Sequence, residues 1–373
     1  MACVNPSQTS STFMALPASR ATPSSPLPRP TRRQLLQAGA GLALTAGLPG
    51  LASADARAAP GGTPATARLR QLVLAGPFAT VSNPLIRIVD SGALADLAEQ
   101  VEFSSWKNPD QLRAMALQGK ADFLAVPSNV AANLYNRGVR LQLMNIGIWG
   151  ILWVVSRDPA RKTMADLKGQ EVVMPFRGDM PDFVFRLVAR QQGIDPDRDI
   201  RLRYVASPLD AMQLLITRRA DNALLAEPAV SVGLRKTQSF PVSAVAPTLH
   251  RGVNLQEEWG RVFKRPARIP QAGIVMMGPQ LGNARLAERF QSACTEALQW
   301  CENNAEACGQ AVARRIDLLT PEGVADAIRV DHAEIVPAAQ ARAELDFFYQ
   351  QLLEFQPGLI GGKLPGKDFY YGT

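Results

Sequence analysis

Two histidines and four cysteines in 373 residues exclude a good deal of chemistry at the outset. His250 and His332 stand apart from each other and from every cysteine. No metal-ligand set can be assembled from them, and no metal or other cofactor is expected. Triad catalysis would need one of the two. The first follows a proline-bearing loop and the second lies in "RVDHAEIV", so both read as surface histidines. A G-x-S-x-G elbow, a Walker loop and an H-E-x-x-H pair are all missing. "GAGLAL" is a loose dinucleotide fingerprint, and it falls in the leader. Carboxylate chemistry from Asp179, Asp182 and Glu227 has no supporting pattern. The chain reads as a non-enzyme, and it carries no repeat of the solenoid kind.

Strong net charge is lacking too. The total is +7, but Arg20, Arg29, Arg32 and Arg33 lie in the first 54 residues with no acid among them; without that leader the charge is +3. Such a mild bias gives no footprint for nucleic acid. "TRRQLLQ" is followed by "AGAGLALTAGLPGLA", a run too short and too rich in glycine to be a membrane anchor. Paired arginines before a modest apolar stretch predict a twin-arginine export signal, cleaved near Ala54 or Ala56, with Leu35 in place of the usual aromatic. The mature protein is expected in the periplasm, soluble and monomeric, with the twin-arginine translocase as its partner during export.

The remainder has a globular composition, 47% hydrophobic and 20% charged. Residues 55–69 form a Pro/Gly/Ala-rich linker. Apolar strands then alternate with helical patterns: "LRQLVLAGPFA", "NPLIRIVDSGALADLA", "VEFSSW", and a helix capped by Asn108 with Pro109 at its first position. This predicts an α/β fold in two lobes, each a mixed sheet flanked by helices. Lobe 1 is expected over 70–148 plus 278–373 and lobe 2 over 149–277, joined by extended crossings near 148–154 and 271–277. Cys301 and Cys308 would be about 10 Å apart on an unbroken helix. Asn303 and Asn304 can break it, which leaves a bridge and two reduced thiols both open.

In open α/β sheets ligands sit beyond the carboxyl ends of the strands. Five such corners can be read: Gly76-Pro77-Phe78, Ser105-Trp106-Lys107, Pro127-Ser128-Asn129, Arg177 to Asp182, and Ala226-Glu227-Pro228. At the fourth, Asp179 or Met180 serves as cap and Asp182 faces the helix dipole. Gly178 suits a positive φ. Arg177 has no capping role, and its fork suits a carboxylate, sulfonate or phosphate. Of Trp149 and Trp153 near a crossing, one is expected in the core and the other stacked on a ligand, with Trp149 counted among the site residues.

"DFLAVPSNVAANLYNRGVRLQL", "DLKGQEVVMPFRGDMPDFVFRLVARQQGIDPDRDI" and "SPLDAMQLLITRRADNALLAEPA" resemble the periplasmic substrate-binding proteins of the nitrate/sulfonate/taurine class of ABC importers. The resemblance covers about residues 70–360 and is strongest from Asp166-Leu167-Lys168-Gly169 to Glu227-Pro228. It implies a type II-like hinged pair of lobes closing on a ligand, with an ABC permease and its ATPase as partners. "RGDMPD" would face "PSN" across the cleft. Asp179, Asp182 and Glu227 bring negative charge there, which disfavours a small bare anion unless Arg177 or Lys107 offsets it. A sulfonate, taurine-like or pyrimidine-like molecule is the expected ligand. A subunit serving a sensor or a periplasmic enzyme, and a pyrimidine- or sulfonate-metabolising enzyme, are the alternatives. The related pyrimidine synthases use a histidine, and none stands at a matching corner here.

Overall fold

A computed structural model describes residues 68–331 and 333–373. The expectations for the leader, its cleavage site, most of the linker and His332 lie outside the described residues. The first sheet begins with β1 (Leu69–Pro77), α1 (Asn83–Ser91), β2 (Ala98–Trp106), α2 (Pro109–Leu117), β3 (Phe123–Pro127), α3 (Ser128–Asn136) and β4 (Leu141–Ile148). The chain then crosses to a second sheet. This holds β5 (Leu152–Ser156), β6 (Glu171–Pro175), α4 (Met180–Gln191), β7 (Arg201–Val205), α5 (Pro208–Ile216), β8 (Asn222–Ala226), α6 (Ala229–Gln238), β9 (His250–Asn254) and α7 (Leu255–Phe263). It returns through β10 (Ala272–Met277), α8 (Ala284–Asn303), α9 (Ala305–Ala313), α10 (Pro321–Val330), β11 (Val336–Pro337) and α11 (Ala338–Phe355).

The strand order is β11-β4-β10-β3-β1-β2 in the first sheet and β7-β6-β8-β5-β9 in the second. In the first, β1 runs parallel to β2 and β3, while β10 is antiparallel to β3 and β4. In the second, β6 is parallel to β7 and β8, and β5 is antiparallel to β8 and β9. Both sheets are mixed and covered by helices, the two-lobed α/β architecture that strand–helix alternation predicts. The second crossing needs correcting. Residues 271–277 do not span the lobes, because Ala272–Met277 is an inner strand of the first sheet, paired on both sides. The return comes earlier, after α7. An apolar strand with no local mark of its partners does not reveal which sheet it joins.

The crossings are tied to each other. The Gln271 amide donates to the Ile148 carbonyl at 2.9 Å and the Ile269 amide to Trp149 at 2.7 Å. The Gln271 side chain accepts from the Ile151 amide at 3.2 Å. Between them Gly150 sits at φ 130°, where a side chain would run into Gln256. The Gln256 side-chain oxygen, Oε1, in turn accepts from the Leu152 amide at 3.1 Å.

The C-terminal helices touch both lobes rather than lobe 1 alone. On α11, Phe348 packs against Trp259 of α7 and Phe183 of α4, with ring centroids 5.6 and 6.4 Å apart. Trp259 is 2% exposed, a burial worth roughly 2–3 kcal/mol. Arg235 of α6 pairs with Asp326 of α10 at 2.6 Å. The helix breaks at Asn304, between α8 and α9, and Cys301 and Cys308 are joined across that corner, Cα atoms 5.2 Å apart.

Candidate ligand-binding cleft

Six parallel strands from the two sheets end at one place. Beyond β1, β2 and β3 stand Pro77, Trp106 and Pro127; beyond β6, β7 and β8 stand Phe176, Ser207 and Ala226. All six line a cavity of about 380 Å³ between the sheets. The crossings form its back through Ile148, Ile151 and Gln271. Leu318 and Leu319, from the loop before α10, complete its rim.

The wall is apolar almost throughout. Three rings (Phe78, Trp106 and Phe176) look into it, joined by Met180 and Met212. Trp106 is locked by an indole N–H donated to the Ala125 carbonyl at 3.3 Å. Phe176 has φ 58°, a left-handed backbone that a bulky residue adopts only where its surroundings hold it there. Those surroundings are two backbone bonds: its amide donates to Val205 at 3.4 Å, and its carbonyl accepts from the Asp179 amide at 3.1 Å. The polar groups at the cavity are Lys107, Asp179, Ser207 and Gln271. Asp179 Oδ1 accepts from Arg113 of α2 at 2.7 Å, an ion pair that joins one lobe to the other. Burial pushes the Asp179 carboxyl above its ordinary range, although the Arg113 guanidinium pulls it down.

The corners read from sequence divide. Pro77, Phe78, Trp106, Lys107, Pro127, Asp179 and Ala226 reach the cavity. Gly76 packs on Ser82, whose hydroxyl donates to the Pro77 carbonyl at 2.7 Å. Ser128 is fully buried and donates to the Pro270 carbonyl at 2.5 Å. Asn129 donates to the Leu359 carbonyl at 3.4 Å. None of these three is among the lining residues.

Arg177, Gly178 and Asp182 look the other way. They line a separate groove with Arg186, Phe355 and Leu359, and the Arg177 guanidinium lies 5.0 Å from the Tyr204 ring centre. Gly178 does adopt a positive φ, 78°. Asp182 is 3% exposed and takes bonds from the Gly178 amide at 2.7 Å, Arg186 Nε at 2.8 Å and the Tyr204 hydroxyl at 2.9 Å. It braces the corner from behind. Asp179 is indeed the N-cap of α4, without a side-chain cap bond.

Glu227 and Trp149 belong to a second cavity, of about 360 Å³, behind the crossings. Glu227 is 1% exposed and accepts from Arg251 at 2.7 Å and from the Ser231 amide at 3.0 Å. Trp149 donates to the Glu334 carbonyl at 2.9 Å, and the Arg268 guanidinium covers its ring at 3.5 Å. Asp331 also lines this cavity; it accepts from the Thr80 hydroxyl at 3.0 Å, and burial pushes its carboxyl up to about 7. The three acids expected to charge the cleft are thus each paired: Asp179 with Arg113, Asp182 with Arg186, Glu227 with Arg251.

Sequence reasoning missed Phe176, Ser207 with Pro208 and Leu209, Met212, and Leu318 with Leu319. The β7–α5 corner carries the same signal as the other five, a strand end followed by Ser-Pro before a helix, and the same rule would have found it. The leucine pair on its loop has no local mark.

The solved structures agree with the architecture. An ABC transporter protein from Parabacteroides distasonis superposes with a TM-score of 0.64 at 19% identity, over 80% of this chain and 98% of that one. The periplasmic aliphatic sulphonate binding protein SsuA from Escherichia coli gives 0.59 at 16% identity, over 76% and 93%. The periplasmic nitrate-binding protein NrtA from Synechocystis gives 0.59 at 15% identity, over 77% and 82%. The fold is that of two-lobed periplasmic binding proteins. No family model and no curated protein matches the sequence.

Proposed function

We propose that this chain is a solute-binding protein that captures a small organic molecule between its lobes and hands it to an ABC permease and ATPase. The observation that carries this reading is the convergence of six parallel strand ends, three from each sheet, on one cavity between two lobes joined by short crossings. Such a site binds by hinge closure, because a ligand touching both lobes stabilises the closed form over the open one. Capture of this kind needs no chemical step. The twin-arginine leader and the likeness to periplasmic proteins support a periplasmic site of action for the mature monomer.

Native mass spectrometry of the protein purified from its own periplasm tests the reading directly. A small molecule should leave on denaturation and, when added back, raise the melting temperature. Protein that carries nothing, and that no periplasmic extract stabilises, would sink it. Sequencing the exported N-terminus should give Asp55 or Arg57; a retained leader would overturn the export route.

A further inference from the structure

Resting on the solute-capture reading, we infer that the cavity takes a ring-bearing aromatic carboxylate, gripped by its apolar body, and not a small anion or zwitterion. The first reason is the helix starts. Helices α2, α4 and α5 aim their N-termini at the cavity, where free N–H groups would ordinarily hold an anion. Each has a proline in its first turn, and Pro109, Pro181 and Pro208 all line the wall. Proline has no N–H to offer. At two of the three starts a further donor is engaged by the cap: the Gln111 amide with the Asn108 side chain at 3.0 Å and the Asp210 amide with Ser207 at 3.2 Å. Each of these helix starts therefore offers a bare anion fewer free N–H groups than an ordinary one.

The second reason is the charge at the mouth. Asp179 is neutralised by Arg113. Lys107 is exposed and forms no ion pair among the described residues. One unspent cation at the rim calls for one anionic group placed there, outside the apolar body. The third reason is shape. The rings of Phe78, Trp106 and Phe176 with the proline faces give flat walls, which suit a flat ring. Leu209 and Leu318, 53% and 51% exposed at the rim, are apolar surface left for a ligand to cover. A volume of about 380 Å³ holds roughly ten to fifteen heavy atoms.

The test is calorimetric titration of the mature protein, stripped of carried ligand, with 3-phenylpropionate, nitrate, taurine and ethanesulfonate. The aromatic acid should bind about 100-fold tighter than the other three, since part of the gain from its buried carbons survives the cost of ordering the ligand. Lys107→Met should weaken 3-phenylpropionate about threefold and erase its advantage over the neutral 3-phenylpropanol. Tighter binding of nitrate, taurine or ethanesulfonate overturns the ligand class and leaves solute capture standing. So does a molecule without a ring found on the native protein by mass spectrometry. A ring-bearing acid found there supports the class even if the probe itself is weak. If no probe binds and nothing is retained, both readings fail together.

Discussion

The two cavities between the lobes are nearly equal in size, about 380 and 360 Å³, and differ in how much charge they hold. The one beyond the strand ends is walled by rings, prolines and aliphatic side chains. The one behind the crossings is walled by Trp149, Glu227, Arg268, Asp331 and Glu334. Volume does not separate them; unfilled bonding capacity does. In the rear cavity Arg268 pairs with Glu334 and Glu344 and stacks on Trp149, and Glu227 is closed off by Arg251. Arg268, Glu227 and Glu334 are thus each held in an ion pair, although Arg268 Nε makes no hydrogen bond. In the front cavity the wall is apolar, and Lys107 forms no ion pair among the described residues. A charged pocket can be finished structure, and a plain one can be the site.

The comparison can be broken first from the rear. Arg251→Met would leave Glu227 buried and unpaired and should cost about 3–5 kcal/mol in urea unfolding; an unchanged midpoint would mean that the pair does not hold that cavity together. Phe176→Gly acts on the front cavity. Loss of the ring should weaken 3-phenylpropionate about tenfold, while stability changes by no more than about 1 kcal/mol, because relief of the left-handed backbone offsets the lost burial. A large stability loss with binding intact would show that the ring packs and does not grip.

Asp331 gives the rear cavity a pH signature. Its carboxyl titrates at about 7 in the folded chain and near about 3.9 when unfolded, so the folded form holds the proton more tightly. This contribution is fully present below the unfolded value and is lost as pH rises through the folded one. Asp331→Asn should match the parent near about pH 4 and exceed it by about 1–2 kcal/mol at about pH 8, allowing for partial exposure. A constant difference across that range would contradict the shift. The smallest effect is expected at Arg177→Ala, which should change ligand affinity by under about 0.5 kcal/mol because the guanidinium lies outside the cavity. A marked loss of affinity there would return that residue to the site.

Those contrasts mark what was legible in the sequence. The strand ends were, because β-rich apolar runs closed by proline or a helix cap are local signals, and so the cleft could be placed. The Asn108 cap, the Asp179 cap and the positive φ of Gly178 followed from the same local chemistry. Which side of the β6–α4 corner faces in was not legible. It turns on Phe176 standing at φ 58°, which sends Arg177 to the back. The partners of the three acids were illegible too where they come from afar: Arg113 is 66 residues from Asp179, and Arg251 is 24 from Glu227. A carboxylate read without its distant arginine looks like charge available to a ligand.

The prolines that line the front cavity bear on heat as well as on affinity. Pro77, Pro109, Pro127, Pro181 and Pro208 fix their own backbone before any ligand arrives, so little of the wall is left to order on capture. Binding there should carry a clearly negative heat-capacity change from covered apolar surface, with a small conformational term set against it. Titrated at several temperatures, the binding enthalpy should grow more favourable on warming while the affinity moves little. The chain would then hold its solute almost equally well across the temperatures its host meets.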